Sequence, residues 1–183
     1  PFFNTAAYST STIGGSISLN GSSDWLSIPN NAVFDIGSND FTIEGWVHPT
    51  SSVVAGAILL KYGQTSPWPS WYIGIDSGTW DIVVYYGGAS YVTITASTIP
   101  IQYNSWYHFA LVRNGANYKF YVNGLQVATG VAQTMATNTH AVTIGNGDGR
   151  NFYLPGYVSD VRIINGTAVY TGNFTPPSAP LLS

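Results

Sequence analysis

The residues of this chain that could do chemistry fall into a few small groups, and each suits recognition better than reaction. Trp68, Trp71 and Trp80 come within one short span, with Pro67 and Pro69 stiffening the segment around the first. Flat aromatic rings stack on the apolar faces of sugars while nearby Asn, Asp and Tyr groups satisfy hydroxyls, so a rigid Trp-bearing loop is a glycan platform. The bland reading is that Trp71 and Trp80 stand inside strands and pack, leaving Trp68 alone as the exposed ring. Asp148 and Arg150, in the run Gly145-Asn146-Gly147-Asp148-Gly149-Arg150, would add polar contacts. No helix pattern follows that run, so it reads as a sheet-edge loop rather than a phosphate cradle. In the stretch Phe41 to His48 one face carries Phe, Ile, Gly and Val, and the other carries Thr42, Glu44, Trp46 and His48. The second face is either a sugar-binding surface or a set of hydrogen-bonded polar groups beside a packed Trp46.

Other chemistries find little support. The chain has no cysteine, which removes disulfides, thiolate metal sites and Cys nucleophiles together. Three His and many Ser are present, but no Gly-x-Ser-x-Gly elbow places a nucleophile. Lys61, Arg113, Lys119, Arg150 and Arg162 stand singly in a chain of formal net charge −3, so no basic patch exists to neutralise phosphates, and nucleic acid is not an expected partner. The longest apolar run, Val53 to Leu60, falls well short of the roughly 18 residues of a spanning helix, so membrane insertion is not expected. Charged residues are 7% of the chain, against roughly 25% in an average soluble protein. Polarity comes instead from Asn, Ser, Thr, Gly and Tyr, a balance found in fibres, capsids and secreted adhesins. The chain begins at Pro1, without a Met or a charged segment ahead of an apolar stretch, so a fragment or a processed product is expected.

The elements that must position these groups are strands. From Asn104 to Gly130 three apolar-alternating runs are punctuated by Asn114-Gly115 and Asn123-Gly124, pairs that tolerate the positive φ of tight hairpin turns. This is a β-meander. Its first strand, Trp106 to Arg113, is bulky on both faces, so it is expected to be central, covered by an opposing sheet on one side and by loops on the other. Further short β-branched or aromatic runs lie at Ser16 to Leu19, Trp25 to Ile28, Phe41 to His48, Ala57 to Tyr62, Trp71 to Asp76, Asp81 to Tyr86, Tyr91 to Thr95, Ala141 to Ile144 and Tyr157 to Ile164. About a dozen strands at this spacing predict one all-β domain, an antiparallel two-sheet sandwich of jelly-roll type. Only Pro29 to Phe34 suggests a helical turn. The domain is expected to fill residues 1–183, with 1–14 as a lead-in and 172–183 as a Pro-rich segment that lies over the sandwich or leads into a linker.

Three phrases together resemble the laminin-G-like branch of the concanavalin A-like lectin and glucanase superfamily: LNGSSDWLSIPNNAVFDIGSNDFTIEGWVHP, NSWYHFALVRNGANYKFYVNGLQVATG and GYVSDVRIINGTAVYTGNFTPP. The resemblance covers nearly the whole chain. The terminal Ala168-Val169-Tyr170-Thr171-Gly172-Asn173-Phe174-Thr175-Pro176-Pro177 is most like modules of phage tail-fibre and virion surface proteins. What the resemblance implies is a non-catalytic module, extracellular or on a virion surface, that recognises glycans or a host-surface receptor, or a structural subunit that assembles with copies of itself or with neighbouring subunits. It also implies a structural Ca²⁺, with Asp160 matching the acidic position of the last strand and Asn20 and Asp24 matching the loop after the first. Oxygen-only ligands suit such a hard cation, although Asn20 stands where relatives often carry an acid. The family's hydrolase branch carries a Glu-x-Asp-x-x-Glu run on one strand, whereas this chain has a single Glu, Glu44, and no such run.

Overall fold

A strand that buries one face every second residue needs a second sheet to bury it against. The computed structural model describes residues 2–4, 15–52, 55–63, 70–86, 90–94, 99–146 and 151–181, and meets that need with two antiparallel sheets. The larger sheet has seven strands, in the order β1 (Phe2–Asn4), β2 (Ser16–Asn20), β13 (Pro155–Asn165), β4 (Phe41–Pro49), β9 (Tyr107–Asn114), β10 (Asn117–Val122) and β11 (Leu125–Val131). The smaller has six, in the order β3 (Leu26–Ile28), β12 (Val142–Ile144), β5 (Ala55–Lys61), β6 (Trp71–Asp76), β7 (Thr79–Tyr86) and β8 (Ser90–Thr93). The expected jelly-roll sandwich is what forms. Part of the expected lead-in, Phe2–Asn4, is itself an edge strand paired with β2. The helical turn suggested by the sequence is the 3-10 turn Ala32–Phe34, capped by Asn31, whose side-chain oxygen accepts the Val33 N–H at 3.0 Å.

The meander behaves as read, with one refinement. Val122 faces Leu125 across Asn123-Gly124, both at positive φ (49° and 77°), as a type I′ turn requires. Asn114 instead faces Asn117, so the first turn has Gly115 (φ 59°) and Ala116 at its centre and Asn114 closes the ladder. Between the sheets lies one core that includes Phe41, Ile43, Val47, Trp71, Ile73, Trp80, Phe109, Leu111 and Phe120.

Beyond β13 the chain turns back and runs across the outer face of the larger sheet as a strap. Thr42 holds it twice, donating its hydroxyl to Thr167 O at 3.0 Å and accepting the Val169 N–H at 2.9 Å. Lys119 Nζ donates to Thr171 O (2.7 Å), Gln126 N–H to Asn173 Oδ1 (2.9 Å) and Phe174 N–H to Gly124 O (2.9 Å). The Tyr170 and Phe174 rings stack 3.5 Å apart and cover Ala110, Val112 and Tyr121. Central strand β9 is thereby buried on both faces, as its two bulky faces anticipated.

Candidate functional site

The first candidate surface, the outer face of β4, is closed at Thr42 and Glu44, while Trp46 and His48 further along it stay partly exposed. Glu44 is fully buried, and its register partners on β9 and β13 are Ala110 and Arg162. Arg162 donates from Nε (2.9 Å) and from its terminal nitrogen (2.6 Å) to Glu44 Oε1. The Tyr170 hydroxyl donates to Oε2 at 2.8 Å, and His108 Nε2 lies 3.2 Å from the same oxygen. Burial by itself would raise the Glu44 pKa, but hydrogen bonds from His108, Arg162 and Tyr170, with the Arg162 charge, outweigh it and hold the carboxyl below its ordinary value. Burial and the neighbouring Glu44 push the Tyr170 phenol the other way, so it stays protonated and donates. This cluster anchors the strap, and the hydrogen-bonded reading of Glu44 is the one the structure bears out.

The tryptophan platform divides. Trp71 and Trp80 point into the sandwich with 0% exposure, so neither ring offers a face to a ligand, and this expectation is corrected. The reason is register: Trp71 lies opposite Val84 and Trp80 opposite Ile75, all on the inward face of their strands. Trp68, Asp148 and Arg150 lie outside the described residues.

The residues expected to ligate calcium do not converge. Asn20 Oδ1 accepts the backbone N–H groups of Ser22, Ser23 and Asp24 at 2.8–3.1 Å, and Asp24 Oδ2 accepts the Asn20 N–H at 3.2 Å. Asn20 faces Pro155 on β13, so Asp160, five residues further along, is about 17 Å away at the rise of a strand. Asp160 sits at φ 50° in the β-bulge between Ser159 and Arg162, and its Oδ2 accepts the Leu181 N–H at 2.8 Å, which fastens the far end of the strap. The three residues therefore do not fit one ion, and among the described residues no other group of three or more His, Cys, Asp or Glu does.

The outer face of the smaller sheet is covered along β5 and β6, where Ala57, Leu60, Tyr62 and Tyr72 are at most 7% exposed, and it opens toward β7 and β8. Opposite the inward Trp71, Ile73 and Ile75 of β6 stand Tyr72, Gly74 and Asp76, and on β7 the outward set is Asp81, Val83 and Tyr85. All of these but Gly74 line a pocket of about 180 Å³ with Ala55, Tyr62 and Phe152. Gly74 makes it possible. A Cβ there would collide with the Tyr72 phenol ring, so the missing side chain lets that ring lie along the sheet. Tyr62 and Tyr85 meet edge-on at 6.1 Å, and Tyr85 faces Tyr91, 58% exposed, across to β8 at 5.5 Å. On its other side Tyr62 also lines a pocket of about 140 Å³ with Trp25, Ser27, Ala141 and Thr143. Trp25 is 46% exposed. An aromatic strip thus crosses the sheet from Tyr91 to Trp25.

Two carboxylates stand on the floor of this groove. Asp81 pairs in register with Gly74, and Asp76 is two residues further along the same face, so the two are diagonal neighbours at a Cα spacing of about 7–8 Å. Asp76 takes the Ser77 hydroxyl at 2.8 Å, whereas Asp81 accepts no hydrogen bond among the described residues. Burial raises the Asp81 pKa, and the Asp76 charge raises it further. The pair lies side by side on one sheet face. Sequence reasoning passed over Trp25, Tyr62, Tyr72, Asp76, Asp81, Tyr85 and Tyr91. The signal was the alternation of Trp71 to Asp76 and Asp81 to Tyr86, whose polar and tyrosine face is the outward one.

A family model described as the concanavalin A-like lectin/glucanases superfamily matches residues 20–169. No curated protein matches the chain by sequence. Among solved structures, the binding domain of Paraclostridial Mosquitocidal Protein 1 is similar at 16% identity and TM-score 0.68 over 85% of this chain, which spans 41% of that one. Domain 4 of AbnA, a GH43 extracellular arabinanase from Geobacillus stearothermophilus in complex with arabinotriose, is similar at 18% identity and TM-score 0.70. There the match covers 92% of this chain and 78% of that one. Domains LG4-5 of the mouse laminin alpha1 chain are similar at 15% identity and TM-score 0.62, over 92% of this chain and 47% of that one. At these identities the likeness is one of fold.

Proposed function

Because the chain belongs to the concanavalin A-like lectin/glucanase superfamily, we propose that it is a non-catalytic, extracellular recognition module whose ligand is a glycan held on the outer face of the smaller sheet. The observation that carries this reading is the aromatic strip with its two pockets meeting at Tyr62. Tyrosine and tryptophan rings bind the apolar faces of sugar rings, and carboxylates accept hydrogen bonds from their hydroxyls. Each pocket is smaller than the roughly 300–1,000 Å³ of a drug-sized site, so each has room for about one ring and an oligosaccharide would lie across both. The arabinotriose bound to a similarly folded domain supports a sugar chain as the ligand class. The neutral polar composition, with charged residues at 7%, supports a setting on a virion fibre or another extracellular surface.

A second reading rests on Leu125 and Val131, which are 58% and 66% exposed on edge strand β11 and fit a structural subunit that assembles with its own copies or its neighbours. A glycan array run with and without Ca²⁺ separates the two. Reproducible hits that weaken roughly tenfold in Tyr85→Ala and in Trp25→Ala support the first. Silence on the array, with oligomers growing with concentration in light scattering, supports the second and removes the first.

A further inference from the structure

The groove holds a charge arrangement that a neutral sugar does not need. Asp76 and Asp81 share the floor of a pocket walled by Tyr62, Tyr72, Tyr85 and Phe152, and no Lys, Arg or His is among its described lining residues. Asp81 is half-buried and accepts no hydrogen bond among the described residues, and its nearest charged neighbour on this face is another carboxylate. Two like charges placed diagonally on one sheet face repel, and partial burial weakens the solvent screening that would relieve them. Of the walls, Tyr85 and Phe152 are partly exposed, and the faces of such rings are electronegative and attract cations. The described lining therefore favours a positive group and disfavours an anion.

Resting on the glycan reading of this same groove, we propose that its Asp76–Asp81 end selects a protonated amine, so that the preferred ligand is an amino sugar carrying a free ammonium group rather than an acetylated, neutral or uronic sugar. The ammonium sits against the Asp81 and Asp76 carboxylates and the tyrosine rings, while the rest of the chain runs past Tyr62 toward Trp25.

The test is calorimetric titration of the whole chain with three tetramers: glucosamine, N-acetylglucosamine and galacturonic acid. The glucosamine tetramer is expected to bind at least about tenfold more tightly than its acetylated counterpart, with an advantage that shrinks as salt rises, and the uronic tetramer is expected not to bind. Asp81→Asn is expected to reduce the affinity ratio of the glucosamine tetramer over its acetylated counterpart to within about twofold. This near-isosteric change removes a disfavoured charge, so its melting temperature should not fall, and a melting curve confirms that a lost preference is not lost folding. Equal affinity for the amine and its acetylated form, or preference for the uronic tetramer, overturns the charge selection and leaves the glycan reading standing. Binding of none of the three overturns the selection, and array hits of other composition would then keep the glycan reading alive alone.

Discussion

Glu44 shows how far one buried side chain can organise a surface. It is the chain's single Glu, it is fully buried, and Arg162, His108 and Tyr170 from three segments converge on it. Removing one member of a buried ionic cluster strands the others, at a cost of about 3 kcal/mol, so Glu44→Gln is expected to lower stability by that order in denaturant titration at pH 7. The pH dependence has a definite sign. The folded pKa of Glu44 lies below its ordinary value, so its contribution is complete above that value and is lost as pH falls through the lowered folded one. The stability gap between wild type and Glu44→Gln should stay level from pH 7 to about 5 and narrow below that. At this scale the sequence revealed that Glu44 faced away from the core, but not that a segment more than a hundred residues later would cover it.

Two elements decide which sheet face is available. The strap of residues 166–181 closes the larger sheet, and its Tyr170–Phe174 stack is the main apolar contact. Phe174→Ala is expected to cost about 2 kcal/mol and to raise binding of a hydrophobic dye, since Ala110, Val112 and Tyr121 lose their cover. On the smaller sheet the decisive residue is Gly74. Gly74→Ala drives the Tyr72 ring outward into the groove, so ligand affinity should drop at least tenfold with little change in melting temperature, because a flexible side-chain end moves rather than backbone. Every strand from β2 onward was legible, because period-2 alternation and the Asn-Gly turns are local signals. The site was not. In Trp71 to Tyr86 both faces carry aromatic rings, and which face points inward is decided by the opposing sheet. Trp71 and Trp80 drew the eye as sugar platforms for the same reason that they fill the core, namely their size. Asn20, Asp24 and Asp160 carried the expected oxygen chemistry, yet Asn20 and Asp24 lie at and just beyond the end of β2, Asp160 lies five residues along β13 from Asn20's partner, and each is engaged in hydrogen bonds of its own.

Taken as a whole, the molecule is an asymmetric sandwich. The middle of one outer face is covered by the C-terminal strap, fastened at Thr42, Glu44, Lys119, Gly124 and Asp160, while Trp46 and His48 stay partly exposed. The other outer face is covered over β5 and β6 and opens toward β7 and β8, with two pockets that meet at Tyr62 and two carboxylates at one end. With the strap in place, both faces of central strand β9 are buried. The most direct measurement of this account is amide chemical-shift mapping of the ¹⁵N-labelled chain titrated with the strongest oligosaccharide hit from the array. Shifts concentrated in β5, β6, β7 and β8, extending to Trp25 and β12 for longer oligomers, are the result expected. Shifts centred on the strap and the outer face of the larger sheet would contradict it.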